Sequence, residues 1–151
     1  MLNLKIPPGV VFIICMGLMW LIKENLHSSI LKFEGHLLLA FGCFAVGVII
    51  GLLAVIEFIR KRTTVNPHKP ENSSKLVTSG VYTYSRNPMY LALLIALISA
   101  VLYWGNPFIL VVLPIFVWYM NEFQIKPEEE IMEQKFGVEF SEYKKKVRRW
   151  L

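Results

Sequence analysis

The sequence predicts an all-α, polytopic membrane protein with about four transmembrane helices, followed by short amphipathic helices at the C-terminus. Hydrophobic residues make up 55% of the 151 residues, and the mean hydropathy of +0.50 is high for a soluble domain of this length. The chain contains four apolar segments, which turn-forming or charged residues separate from one another. We therefore expect residues 1–151 to form a single integral membrane domain.

The first apolar segment covers residues 10–22 and ends at the polar sequence Lys-Glu-Asn, residues 23–25. It is short, so it either spans the membrane with help from its flanks or belongs to a signal sequence. The residues that follow it offer no small-residue cleavage site, which favours a retained helix.

The second segment, residues 36–59, is long enough to span the membrane. Its ionisable residue, Glu57, lies one turn from the end and is expected to reach the interface. Gly47 and Gly51 form a small-xxx-small pair, which predicts close packing of a neighbouring helix. With the first segment, this one would give residues 1–59 two transmembrane helices.

The third and fourth segments, residues 89–104 and 107–119, are joined by Gly105-Asn106-Pro107. Such a short connection predicts a tight turn between antiparallel helices. Pro114 is expected to bend the fourth segment. Beyond it, Pro127 and the glutamates after it predict the start of two short amphipathic helices with a break at Gly137.

Cations are unevenly distributed between the connecting segments. The first connection has only Lys23 and Lys32. The second connection and the tail hold most of the others: Arg60, Lys61, Arg62, Lys69, Lys75 and Arg86, and then Lys126, Lys135, Lys144, Lys145, Lys146, Arg148 and Arg149. The positive-inside rule then predicts that both termini and the central connection are cytoplasmic, in the cytoplasmic membrane. The basic run at residues 144–149 indicates a membrane-surface anchor, because the chain has no signature of a nucleic-acid-binding fold.

The two cysteines, Cys15 and Cys43, lie inside apolar segments and have no partners at metal-ligand spacing. They are expected to pack, and no metal site is predicted.

The central polar segment, residues 75–90, is the clearest candidate for a site. It contains the turn residue Gly80, and Pro88 in it favours the start of a helix. The cation Arg86 and three tyrosines lie near the expected mouth of that helix: Tyr82, Tyr84 and Tyr90. These groups would hold a charged or polar ligand.

Several motifs then occur in a fixed order: Leu76-Val-Thr-Ser-Gly-Val-Tyr82, Ser85-Arg-Asn-Pro-Met-Tyr90, Asn106-Pro107, Pro127-Glu-Glu-Glu, and Phe136-Gly-Val-Glu-Phe-Ser-Glu-Tyr143 through Val147. This set resembles the C-terminal half of the isoprenylcysteine carboxyl methyltransferase family and its relatives, the phospholipid methyltransferases. The resemblance covers roughly residues 60–151, which would form the cofactor-binding catalytic half. It says little about residues 1–59.

The resemblance implies S-adenosylmethionine as methyl donor, bound at the cytoplasmic face in a pocket that the tail closes. It also implies a lipophilic acceptor that enters from the bilayer, so membrane lipids are the expected surroundings and partners. Cofactor contacts would fall on Ser74, Lys75, Leu76, Val77, Tyr82, Asn87, Pro88, Met89, Tyr90 and Glu128. Tyr90 suits the methionyl carboxylate, and Glu128 suits the ammonium group or the ribose hydroxyls.

The expected catalytic residues are Arg86, Glu129, Glu122 and Gln124. Glu129 and Glu122 are candidate bases, which are needed only if the acceptor keeps a proton. The chain has Asn87 where the commonest family form has His, so no titrating group is available there. It has Gln124 where the prenylcysteine enzymes have an Arg that meets the substrate carboxylate, which predicts an acceptor other than a prenylcysteine carboxylate.

Two alternatives are open. Membrane sterol reductases have a similar C-terminal arrangement and bind a nicotinamide cofactor, although the short chain and the Pro-Glu-Glu-Glu sequence favour the methyltransferases. A non-enzymatic four-helix membrane scaffold would have no reason to keep a cofactor pocket open.

Overall fold

The computed structural model describes residues 6–61 and 75–151, and within them every regular element is helical. Six α-helices follow one another: α1 Pro8–Asn25, α2 His36–Lys61, α3 Pro88–Trp104, α4 Val112–Met120, α5 Lys126–Phe136 and α6 Val138–Lys146. Short 3-10 segments occupy Gly80–Thr83 and Pro107–Val111, and a π-helical turn occupies Asn121–Ile125. The predicted all-α membrane fold is confirmed.

Three helical stretches of the described part are long and apolar enough to cross a membrane: Pro8–Asn25, His36–Lys61 and Pro107–Phe136. The shorter α3 has 17 residues, at the lower limit of about 17–25 residues for a spanning helix. Each predicted segment corresponds to one of these helices. The structure extends the first three by a few residues, whereas the fourth continues beyond residue 119 as far as Phe136. The first segment is a full helix that begins at Pro8, where the fixed φ of proline suits the first turn.

The pair α2 and α3 has the most extensive contact in the molecule. Gly47 of α2 faces Ala92 and Ile95 of α3 so closely that an added Cβ would lie 3.1 Å from the Ala92 carbonyl oxygen. At Gly51, an added Cβ would lie 3.4 Å from the Ala92 side chain. The predicted small-residue contact is therefore present, and these glycines let the two backbones approach.

Helix α1 and the fourth helical stretch pack against the other side of α3 around a buried cluster. The members of this cluster with the least exposed side chains are Met19, Leu97, Ile109, Phe116 and Met120. Both α1 and α2 pack against α3 more than against each other. A space is thus left between α1 and α2.

The turn between α3 and the fourth stretch is tight, as predicted. Gly105 ends α3 in the left-handed conformation, with φ of 66°, which favours glycine. The Asn106 side chain accepts a hydrogen bond from the Phe108 N–H at 2.9 Å and donates one to the Leu26 carbonyl at 2.6 Å. The buried Asn106 therefore caps one helix and ties the turn to the end of α1.

The fourth stretch departs from α-helical geometry on either side of Pro114. Pro114 itself lies in the first turn of α4, where a missing N–H is tolerated. A 3-10 segment precedes it, and the π-helical turn at Asn121–Ile125 leads into α5. The break between α5 and α6 falls at Gly137, which has φ of 50°, as the sequence predicts.

Candidate functional site

One cavity of about 830 Å³ opens at the end of the helix bundle where α2 ends and α1 and α3 begin. This volume lies within the range of about 300–1,000 Å³ that ligand pockets usually have. The residues that line it come from α1, α2, the segment before α3, α3 itself, α5 and α6. The cavity therefore brings together the first three α-helices, the segment before α3 and the two C-terminal helices, whereas α4 and the π-helical turn do not line it.

The structure brings most of the predicted site residues together around this cavity. The lining includes Lys75, Leu76, Val77, Tyr82, Arg86, Asn87, Met89, Tyr90, Glu128 and Glu129. Pro88 is buried beside them as the first residue of α3. Ser74 lies outside the described residues. Tyr84, another tyrosine of the central segment, is 76% exposed and does not line the cavity.

Glu128 lies in the first turn of α5 and lines the cavity. Its Oε1 accepts a hydrogen bond from the hydroxyl of Tyr90 on α3. This contact joins the start of α3 to the start of α5, two elements 38 residues apart in the chain. A carboxyl group held in this way offers its other oxygen to a ligand with N–H or O–H donors.

Glu129 stands between two arginines. Its Oε1 lies 3.1 Å from Arg86 Nη2, and Arg149 binds it from the other side through Nε at 3.0 Å and Nη2 at 2.7 Å. The hydrogen bond to Glu129 raises the pKa of Arg149. This fork geometry fits the guanidinium of Arg149 and fixes the Glu129 carboxylate. Glu129 therefore acts as the centre of an ion-pair network rather than as a free carboxylate.

Arg86 is only partly satisfied by this network. Its side chain is 11% exposed, and its Nε and Nη1 are buried without a hydrogen-bond partner in the described structure. Leaving buried donors of a charged group unpaired costs free energy. Because Arg86 also lines the cavity, a ligand with anionic or carbonyl oxygens would supply the missing acceptors.

The C-terminal residues hold the segment that leads into α3. The carbonyl of Arg148 accepts from the Arg86 N–H at 2.9 Å, and the carbonyl of Arg149 accepts from Asn87 Nδ2 at 3.0 Å. Ser85 Oγ donates to that same Arg149 carbonyl at 3.2 Å. The tail thus pairs with residues 85–87 through its backbone, and Asn87 takes part through its amide rather than through a titrating group.

Two further tyrosines, Tyr82 and Tyr143, line the cavity. The Tyr143 hydroxyl on α6 donates to the Tyr82 carbonyl at 2.6 Å, which fixes α6 over the 3-10 segment. Burial raises the pKa of Tyr82, and the neighbouring Tyr143, Glu128 and Glu57 raise it further. Burial also raises the pKa of Tyr143. Both phenols therefore stay protonated and act as hydrogen-bond donors and ring surfaces.

The rest of the cavity is apolar and extends into the bundle. Its walls come from one face of α2 and one face of α3: Phe44, Gly47, Val48, Gly51, Val55 and Phe58, and Met89, Ala92, Leu93 and Ala96. Phe12 of α1 lines the other side. Residues 44–58 of α2 correspond to a length of about 21 Å at about 1.5 Å per residue. The cavity therefore has a charged end and an apolar arm, and the arm lies beside the space between α1 and α2.

Two of the predicted catalytic residues are not brought to the cavity. Gln124 is completely buried, and its Nε2 donates to the Ile6 carbonyl at 2.7 Å. In a regular α-helix Gln124 and Glu128 would share a face, but the π-helical turn at Asn121–Ile125 changes that register. Glu122 forms an ion pair with Lys126 and does not line the cavity.

Sequence reasoning missed several lining or supporting residues. Arg149 was included only as a tail cation, although it binds Glu129. Tyr143 belonged to the matched tail sequence, which was the available signal. The sequence does not indicate that Phe12 and one face of α2 line a cavity. The same apolar residue types occur in a membrane span whether they face lipid, another helix or a cavity.

Within residues 6–61 and 75–151, no group of three His, Cys, Asp or Glu side chains is arranged to hold a metal ion. Cys15 is buried, and Cys43 Sγ lies 3.7 Å from the Ile95 carbonyl oxygen of α3.

Fold and site together define an integral membrane protein whose helix bundle contains a cavity with a charged end and an apolar arm. The sequence model of the phospholipid methyltransferase family matches residues 36–139, more than half of the chain, and the chain therefore belongs to this family.

Individual relatives have related names. A probable protein-S-isoprenylcysteine O-methyltransferase of Oryza sativa subsp. indica is 34% identical over 102 residues, which are 68% of this chain and 53% of the rice protein. The protein-S-isoprenylcysteine O-methyltransferase of Saccharomyces cerevisiae is 37% identical over 79 residues, 52% of this chain and 33% of the yeast protein. The chain thus spans about half or less of the length of these two relatives.

An uncharacterized protein of Haemophilus influenzae is 48% identical over 63 residues, 42% of this chain and 100% of that protein. No solved structure matches the chain.

Proposed function

We propose that the chain is an S-adenosylmethionine-dependent methyltransferase that acts on a lipophilic acceptor at a membrane face. The observation that carries the proposal is the single cavity in which the charged end is continuous with an apolar arm inside the bundle. Such a cavity can hold a polar methyl donor at its charged end and an apolar methyl acceptor in its arm, with the reacting groups next to each other. Membership of the family and the names of the relatives support the same activity.

The residues at the charged end fit the cofactor. Arg86, with two unpaired donor atoms, suits a carboxylate. Glu128 has a second oxygen for the ammonium group or the ribose hydroxyls, and Tyr82 offers a ring face to the adenine or the sulfonium. Lys75, Leu76, Val77, Asn87, Met89 and Tyr90 would complete the site, and Ser74 is proposed on the resemblance alone.

When bound, S-adenosylmethionine supplies an electrophilic methyl group on a sulfonium. The residues of the chain then have to align the acceptor and exclude water. Phe140 and Tyr143 line the cavity from α6, and the tail that follows α6 pairs with residues 85–87. Glu129 is held by two arginines, so we propose that it positions Arg86 rather than removing a proton.

The acceptor is proposed to enter from the bilayer between α1 and α2. The support is that both helices pack on α3 more than on each other and that both contribute residues to the cavity. The prediction that excluded a prenylcysteine carboxylate depended on Gln124 facing the acceptor, and Gln124 is instead buried against Ile6. We therefore withdraw that exclusion and keep prenylcysteines among the candidate acceptors.

The proposed location is the cytoplasmic face of the cytoplasmic membrane, with both termini on that side. The support is the distribution of Lys and Arg among the connecting segments. Membrane lipids would contact the basic residues 144–149 of α6 and the tail.

The test is ligand-induced stabilisation of the purified protein in detergent, followed by methyl transfer. We expect S-adenosylhomocysteine at about 100 times its Kd to stabilise the fold by about 2.7 kcal/mol, and NADPH to produce no shift. Radiolabelled S-adenosylmethionine with a panel of prenylcysteines, fatty acids, aminophospholipids and lipophilic phenols then identifies the acceptor class. Stabilisation by NADPH alone would favour a reductase, and no stabilisation by either ligand would overturn the proposal.

A further inference from the structure

Glu57 is a buried carboxyl group that the proposed chemistry does not use. It lies near the C-terminal end of the apolar helix α2, it is 9% exposed, and it does not line the cavity. Placing a carboxylate in such surroundings costs free energy unless it is paired. Its contacts therefore show what the group does for the fold.

The main polar partner of Glu57 is not on its own helix. Ser79 Oγ donates to Glu57 Oε2 at 2.7 Å across a separation of 22 residues. Arg60 reaches Oε1 at 3.3 Å, but the Arg60 side chain is 71% exposed, and exposed pairs of this kind contribute little. The hydrogen bond to Ser79 is the stronger contact because it is shorter and because Ser79 is less exposed than Arg60.

Gly80 adds a contact of another kind. It has φ of 60°, and an added Cβ would lie 2.7 Å from Glu57 Cδ. The backbone of the segment thus lies directly against the carboxyl group, and its positive φ favours glycine at this position.

The residues on either side of Ser79 and Gly80 are walls of the cavity. Val77 precedes them, and Tyr82 follows them in the 3-10 segment. Both side chains pack in a buried cluster with Ala54 of α2, and the Tyr82 ring meets the Phe58 ring edge to face at 5.5 Å. Glu57 therefore holds the middle of a segment of which both halves line the proposed cofactor site.

We propose that Glu57 is a positioning residue that fixes residues 75–83 against α2 and so shapes the cofactor wall. Its hydrogen-bond acceptor oxygen, rather than its charge, performs this role, since the partner is a neutral hydroxyl. The same helix carries Val55 and Phe58 in the apolar arm, so Glu57 also sets the distance between that arm and the cofactor wall. This inference depends on the proposed function for the identity of the ligand.

The test uses the full-length protein in detergent and two measurements. The first is the Kd for S-adenosylhomocysteine by titration calorimetry, and the second is amide hydrogen exchange of residues 75–83. Glu57→Ala and Ser79→Ala each remove one partner, Glu57→Gln keeps an acceptor oxygen, and Glu34→Ala is the control because Glu34 is exposed in the connection between α1 and α2.

We expect Glu57→Ala and Ser79→Ala each to raise the Kd about tenfold and to accelerate exchange in residues 75–83, because one buried hydrogen bond is lost. The double variant should be no worse than either single variant, since both remove the same contact. Glu57→Gln should stay within about twofold of the native Kd, as Glu34→Ala should.

A purely structural role would lower the melting temperature of Glu57→Ala and leave both the Kd and the local exchange unchanged, which would overturn the inference alone. A Glu57→Gln variant as impaired as Glu57→Ala would also overturn it, because charge would then be the essential property. If the native protein binds no S-adenosylhomocysteine, the proposed function fails and the cofactor role of Glu57 fails with it.

Discussion

Glu128 and Glu130 are two residues apart, yet their surroundings differ sharply. Glu128 lines the cavity and accepts a hydrogen bond from Tyr90, whereas Glu130 is exposed on α5. We expect Glu128→Gln to raise the Kd for S-adenosylhomocysteine by about tenfold or more, since a hydrogen bond to the charged ammonium group of the ligand is worth about 1.5–3 kcal/mol. Titration calorimetry of the purified variants measures the change.

Glu130→Gln is the matched control for this prediction. It removes a favourable interaction with the dipole of α5 that is worth only about 0.3–1 kcal/mol at an exposed position. Its Kd should stay close to the native value. Equal losses of affinity in the two variants would mean that Glu128 does not contact the cofactor.

At the scale of single residues, the sequence indicated which residues belong to the site better than it indicated where their side chains point. Arg86, Tyr82 and Glu128 lie in matched motifs, and the cavity brings them together. Gln124 was assigned from the resemblance, as the position where the prenylcysteine enzymes have an Arg, and a resemblance does not give the direction of a side chain. The intervening π-helical turn has no signature in the sequence, so the direction of Gln124 was not predictable.

The contact between α2 and α3 depends on a residue without a side chain. An isoleucine at position 47 would meet the Ala92 carbonyl and the Ile95 side chain at 3.1–3.2 Å. We expect Gly47→Ile to destabilise the protein by about 1–3 kcal/mol through overpacking and to separate the two helices. The measurement is the unfolding temperature in detergent.

The same helix provides a control at Gly42, which is exposed on α2 and where an added Cβ would meet no atom of another element within 4 Å. Gly42→Ile makes the same chemical change at a surface that would face lipid. Its unfolding temperature should be close to that of the native protein. A comparable loss of stability in Gly42→Ile would show that helix propensity, and not the contact with α3, determines the effect.

The tail supports a second prediction at the scale of elements. Arg149 fixes Glu129 through its guanidinium, whereas Arg148 is exposed and contributes its carbonyl to the Arg86 N–H. We expect Arg149→Gln to lower stability by about 1.5–3 kcal/mol, because hydrogen bonds to a charged group are lost. The measurement is the melting temperature of the protein without ligand.

Arg148→Gln keeps the backbone contact and should leave the melting temperature nearly unchanged. The two substitutions are chemically identical and adjacent in the chain. If both variants lost the same stability, net charge of the tail, rather than the pairing with Glu129, would explain the result.

The helices themselves were the most predictable elements, because long apolar segments bounded by proline, glycine and charge leave few alternatives. The turn at Gly105-Asn106-Pro107 and the break at Gly137 followed from turn chemistry in the same way. The assembly of these helices was not predictable from the segments. Gly47 and Gly51 indicated which face of α2 packs closely, but not that α3 is the partner, and no pattern indicated which apolar face lines a cavity.

At the scale of the whole molecule, the length of the apolar arm limits the length of the lipophilic acceptor that the protein can hold. Ala96 lines the arm from α3, farther along the helix from the charged end than Met89, Ala92 and Leu93. A larger side chain at position 96 would shorten the arm and leave the charged end unchanged. We therefore expect Ala96→Leu to reduce methyl transfer to long-chain acceptors and to leave short-chain acceptors and the Kd for S-adenosylhomocysteine unaffected.

Each acceptor that no longer fits loses the contacts of one or two buried methylene groups, which are worth about 1–3 kcal/mol. The ratio of kcat/KM for the longest acceptor to that for the shortest should therefore fall about 10–200-fold in Ala96→Leu. The measurement is kcat/KM over an acceptor series that differs only in chain length. Ala45→Leu makes the same change at an exposed position of α2 and should leave the series unaltered. If Ala96→Leu lowered kcat/KM equally for all chain lengths, the arm would not hold the acceptor chain. A cavity that binds only the cofactor cannot distinguish acceptors by length.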